Sequence, residues 1–166
     1  MSKTKQLLKS FYHFKMLAAF RVQPVGKAIS YLFYLSLIVL IPVLISSVYT
    51  YLTTQDSLND TISHGISSGI FVVIFLPFIY FFIALSLFLL VSALAGLAVP
   101  YTHYRRMRAD YKQLWNISAF AITAPTLVLV CVESFIVSSP LLICLYFLIS
   151  CFYVLYALSY LPKLPK

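Results

Sequence analysis

Long apolar runs alternate along this chain with short segments that hold nearly all of its charge. A helix crossing a bilayer needs about 20 consecutive apolar residues. Residues 28–52, 66–100, 114–132 and 141–161 each meet that length and predict four membrane spans. The segments between them are a polar dip at 53–65, a basic link at 101–113 and a tight hairpin at 133–140. Links this short make consecutive helices antiparallel neighbours. The predicted fold is therefore all-α, a polytopic bundle of four transmembrane helices forming a single membrane domain.

The second run is longer than one straight crossing. Either it tilts, or its first turns lie along the outer interface until Pro77 lets the chain turn inward; the second reading is preferred. Pro42 and Pro125 interrupt the first and third spans. Pro125 has no N–H, which deprives the carbonyl of Ala121 of its helical partner. Nearby hydroxyls such as Thr123 and Thr126 can satisfy groups freed in this way. The small residues Ala93, Ala95 and Gly96 in the second span allow close helix contact.

Composition supports the membrane reading. The chain is 62% hydrophobic and 10% charged, against about 45–50% and 25% in soluble domains. A net charge of +8 is also the kind that nucleic-acid binding uses, but the placement of the charge argues for topology. No basic residue lies between Lys27 and Arg105, nor between Lys112 and Lys163. Basic flanks of membrane spans stay cytoplasmic. With all three basic clusters inside, each intervening stretch must leave and return, so each holds two spans. Residues 1–27, 101–113 and 162–166 are then cytoplasmic. Asp56, Asp60 and Glu133 lie outside, and Asp110 is the one acid inside.

Before the first span, Leu7, Phe11, Phe14 and Ala18 recur at helical spacing among Lys3, Lys5, Lys9, Lys15 and Arg21. This pattern predicts an amphipathic helix lying in the inner interface, with its basic side among anionic head groups. The plainer reading makes these lysines topology markers only. Pro24 and Gly26 are expected to end this helix and turn the chain into the first span. Lys5, Lys9, Arg21, Lys27, Arg105, Arg106, Arg108 and Lys112 are the candidate lipid or partner contacts.

Little in the sequence points to chemistry. His13, His64 and His103 have no metal-ligand spacing. Cys131, Cys144 and Cys151 lie in the third and fourth spans. A Cys131–Cys144 disulfide is geometrically open, although small packing residues are the plainer reading. There is no phosphate loop, nucleophile elbow or HExxH sequence. No catalytic residue, metal site or cofactor is expected. Intramembrane charge, the usual mark of a transport path, is essentially lacking. The candidate intramembrane polar or kink positions are Trp115, Asn116, Thr123, Pro125 and Thr126. The Trp115 ring is expected at the lipid interface, and the Asn116 amide is expected to point into the bundle, the alternative being that it faces head groups and water at the membrane edge.

The strings LLKSFYHFKMLAAFRVQPVGKAISYLFYLSLIVLIP, YKQLWNISAFAITAPTLVL and YLPKLPK resemble a family of Gram-positive bacterial membrane proteins. That family is known as domain of unknown function eleven eighty-nine, and some members are labelled maltodextrin utilisation protein. The residues carrying the resemblance are Phe11, Tyr12, Phe20, Arg21, Gly26, Lys27, Tyr111, Gln113, Leu114, Trp115, Asn116 and Pro125. Typical members look longer, with an extracytoplasmic insert that is here reduced to about Thr53–Gly65. The stretch from Tyr111 to Pro125 is also similar, more weakly, to Yip-type membrane proteins. The resemblance implies architecture rather than activity.

Two functional expectations follow. The first is a non-enzymatic accessory, scaffold or regulatory protein of the bacterial cytoplasmic membrane. Its partners would be anionic head groups and either another membrane protein or a second copy of itself. The alternative is a small carrier, channel or lipid-handling protein using the kinked spans around Asn116, Thr123 and Thr126.

Overall fold

The computed structural model describes Thr4, Leu7 and residues 14–58, 68–135 and 139–161, and these contain helices without a strand. A short helix α1 (Phe14–Ala19) passes into a 3-10 turn (Phe20–Val22). Gln23 is extended, with φ −70° and ψ 148°, as the residue before a proline tends to be. The carbonyl of Pro24 then accepts the N–H of Lys27 at 2.9 Å. Pro24 thus places the turn. Gly26 sits inside the next helix, where an added methyl group would meet nothing within 4 Å.

Helix α2 (Val25–Leu58) continues through Pro42 and includes residues 53–58, expected in the outer loop. Helix α3 (Ser68–Tyr104) runs through Pro77 and Pro100 without a break. The chain stays helical through Pro77. Losing one N–H costs a single rung, whereas breaking a helix among apolar groups strands several backbone donors and acceptors. At about 1.5 Å per residue, both helices exceed the roughly 30 Å hydrocarbon thickness.

The third crossing is divided into α4 (Tyr111–Ala121) and α5 (Thr123–Phe135), separated at Ile122. The division is the single residue Ile122. Its N–H still reaches the Ser118 carbonyl at 3.1 Å, and its carbonyl accepts the Thr126 N–H at 2.9 Å. It adjoins the Ala121 carbonyl that Pro125 leaves without an N–H. Helix α6 (Pro140–Leu158) makes the last crossing, with Ser139 accepting the Leu141 N–H at 3.4 Å and proline at the favourable first position. Four stretches are long and apolar enough to cross a membrane: Val25–Tyr49, Ile74–Tyr104, Tyr111–Ser134 and Leu141–Leu158. The chain is a polytopic all-α membrane protein.

Helix α4 is the hub. It packs against α1, the 3-10 turn, α2, α3 and α6, and every residue from Leu114 to Ala121 is buried. Spans one and three run parallel, as an alternating topology requires. Gln23 meets Asn116, Tyr31 meets Thr123 and Ser46 meets Ser134, so both chains advance together. Leu17, Ala18 and Phe20 are buried, and Leu17 and Phe20 belong to the central core. These apolar residues, and Leu7 with them, therefore pack on the bundle; Phe11 and the side chain of Phe14 lie outside the described residues. Of the small residues in α3, Ala95 is buried while Ala93 and Gly96 face outward.

Candidate functional site

The broken third crossing gathers most of the buried polarity. The Asn116 amide donates from Nδ2 to the backbone carbonyl of Gln23 at 2.6 Å, and its side chain is wholly buried. One turn pair further along the same face, the Thr123 hydroxyl donates to the Phe120 carbonyl at 2.8 Å. With that proton committed, the Tyr31 hydroxyl must donate to Thr123, also at 2.8 Å. Thr126 repeats the arrangement. Its hydroxyl donates to the Ile122 carbonyl at 2.7 Å and receives the Tyr146 hydroxyl at 2.8 Å. Both threonines thus bond backward around the break and sideways to another span.

Trp115 takes a different place from the one expected. It is 6% exposed, donates to Ser92 Oγ at 3.3 Å, and lays its ring 5.1 Å from that of Phe88. An indole at a helix contact satisfies its N–H there and has no need of the lipid interface. Tyr31, Tyr146, Ser92 and the Gln23 carbonyl were not legible as partners. A tyrosine in an apolar run gives no sign of which way its hydroxyl points.

Among the described residues every buried polar side chain is neutral. The Asn116 Oδ1, Gln23 Oε1 and Ser118 Oγ atoms are buried without a hydrogen-bond partner. No group of three or more potential metal ligands occurs among the described residues. Cys131, Cys144 and Cys151 are free thiols, so the open disulfide reading does not hold.

Away from the basic residues, α5 and α6 part to leave an apolar groove of about 180 Å³, whose walls include Pro125, Val128, Leu145, Tyr146 and Ile149. The cations occupy the opposite end. Lys27, Arg105, Arg106, Arg108 and Lys112 are exposed and Arg21 is half-buried. Lys5 and Lys9 lie outside the described residues.

The loop after α3 has a defined shape. The Met107 N–H reaches back to the Thr102 carbonyl at 2.9 Å, and the Arg106 N–H to His103 at 3.1 Å. This is the two-bond ending that usually places glycine in the left-handed conformation. Here Arg106 holds it, with φ 51°, at a cost of about 1 kcal/mol relative to glycine.

The pattern of one protein family, described as "Protein of unknown function (DUF1189)", matches residues 4–68 and 52–158. The chain belongs to this family. The two matches overlap across 52–68, where the expected outer loop lies, and together take in all four spans. No curated protein and no solved structure matches the chain. Membership thus supports the membrane architecture and assigns no activity to the polar strip, the groove or the basic end.

Proposed function

We propose that the protein is a non-catalytic accessory or scaffold of the bacterial cytoplasmic membrane, with both termini cytoplasmic, that holds another membrane protein through helix contacts. The observation that supports this reading is the division of labour among its polar groups. Among the described residues the buried ones are neutral and tie spans to one another and to the turn before the first span, while the charged ones are exposed or half-buried. A coupled carrier is expected to keep an ionisable group near the bilayer midplane. Affinity purification of the full chain from native membranes, followed by mass spectrometry, should recover a membrane protein in stoichiometric amount. Recovery of the chain alone would reject the reading.

One observation favours the alternative of a carrier, channel or lipid-handling protein. Interrupted membrane helices with freed backbone carbonyls line substrate sites in many transporters, and the third crossing is interrupted at Ile122. Solute flux or lipid movement by the purified protein alone in liposomes would establish that alternative.

A further inference from the structure

We propose that the loop joining α3 to α4 is a binding site for the phosphodiester of an anionic lipid, with the guanidinium groups of Arg105, Arg106 and Arg108 as its ligands. This inference does not depend on the scaffold reading. Four cations fall within residues 105–112, with Asp110 the one acid among them. Among the described residues none of these cations is held in an ion pair, and Arg105 instead lies 5.9 Å from the centre of the Tyr101 ring. Like charges held this close repel one another, and an anion between them removes the repulsion.

The backbone makes the cluster a shaped site rather than a loose basic tail. Met107 is 8% exposed and belongs to the central core, so the middle of the loop is anchored in the bundle. Arg105, Arg106 and Arg108 on either side of it are exposed. Glycine would close α3 with less backbone strain than Arg106 does at φ 51°. Arginine at that position adds a third guanidinium at a fixed point. Guanidinium groups match phosphate oxygens in planar, two-bond pairs that lysine does not form.

Position selects the ligand's source. The loop joins two membrane-crossing helices, which sets it at head-group depth. Tyr101 in the last turn of α3 is of the type enriched at that boundary. The phosphate of a lipid is therefore presented to the loop at high local concentration, which free phosphate is not.

A role confined to structure or topology predicts the opposite outcome from a lipid site when Arg106 becomes glycine. The full chain, purified in detergent, is unfolded by heat with added phosphatidylglycerol, phosphatidylcholine or inorganic phosphate, and retained lipid is counted by native mass spectrometry. The wild type should gain more from phosphatidylglycerol than from phosphatidylcholine, and nothing from inorganic phosphate. Arg106→Gly should melt higher than wild type without lipid, because the turn is relieved. It should nevertheless bind phosphatidylglycerol about tenfold more weakly, as expected for the loss of one charge-assisted hydrogen bond. Arg106→Lys should bind with intermediate strength. Lys163→Gln removes one positive charge outside the loop and outside the candidate contacts, and should leave retention near wild type. Equal phosphatidylglycerol gains in wild type and Arg106→Gly would overturn the site. Equal losses in Lys163→Gln and Arg106→Gly would reduce it to diffuse charge, and a gain from inorganic phosphate would reject the lipid as its ligand.

Discussion

At the basic end, Leu114 to Ala121 are all buried, and the Phe120 ring lies 4.6 Å from that of Phe20 and 4.5 Å from that of Tyr31. At the opposite end, Leu141, Ile143, Leu145 and Leu148 of α6 are exposed, and α5 and α6 enclose a groove rather than a core. Both regions are apolar, so hydrophobicity does not separate them. In lipid there is little to gain from moving one leucine off another leucine and onto an acyl chain. Helices associate there through close packing and hydrogen bonds between spans. The basic end has both, with aromatic rings interleaved and bonds from Asn116, Trp115 and Tyr31. Among the described residues the far end shows fewer, chiefly Ser46 to the Ser134 carbonyl at 3.0 Å and Tyr146 to Thr126. The difference separates a region that holds the bundle together from one free to change its neighbours.

The sharpest way to break this comparison is to truncate one large side chain at each end. Phe120→Ala should destabilise the protein by about 3–5 kcal/mol, the usual cost of removing a buried aromatic ring. Leu145→Ala faces the groove and the lipid, and should change stability by less than about 1 kcal/mol. Chemical unfolding in detergent measures both. Similar losses would mean that the far end is as tightly packed as the basic one.

A smaller effect tests the polar tie alone. Asn116→Leu keeps the approximate volume and removes the bond to the Gln23 carbonyl, for an expected loss of about 1 kcal/mol. Ser46→Ala removes a tie at the far end and should cost less, because Ser46 is only half-buried. A larger loss from Ser46→Ala than from Asn116→Leu would reverse the assignment of the stabilising end.

How much of this was legible follows from the same physics. Charge and length are strongly constrained by a bilayer, so the spans and the basic clusters could be read directly. The break at Ile122 was legible because Pro125 removes a specific N–H. Asn116 was read as pointing inward because an amide is costly to leave unpaired in hydrocarbon, although the membrane edge offered it head groups and water as well. The facing of apolar side chains was not. In a helix that is apolar on every side, the lipid-facing and protein-facing residues are the same types. Ala93 and Gly96 thus read as contact residues and are exposed, and Ala18 read as membrane-facing and is buried. Pro77, unlike Pro125, leaves its helix unbroken. The left-handed Arg106 was missed because the sequence signal for that turn is glycine, and no glycine is there.

The finest test makes one chemical change at two places. Tyr31 and Tyr146 each donate a hydroxyl at 2.8 Å to a threonine that itself donates to the backbone around the break. Replacing either tyrosine by phenylalanine removes one oxygen and leaves the ring and the threonine's own bond in place. Tyr31 is completely buried beneath Phe120, so Thr123 has no room to find another donor. Tyr146 borders the groove, where α5 and α6 can shift to recover part of what is lost. Tyr31→Phe should therefore fall near the upper end of measured interhelical bonds, about 1.7 kcal/mol, and Tyr146→Phe near their average of about 0.6 kcal/mol. The double variant should lose roughly the sum, since the two pairs share no side chain. Equal single losses would show that the groove is as rigid as the core, and that the two ends differ in shape but not in freedom to rearrange.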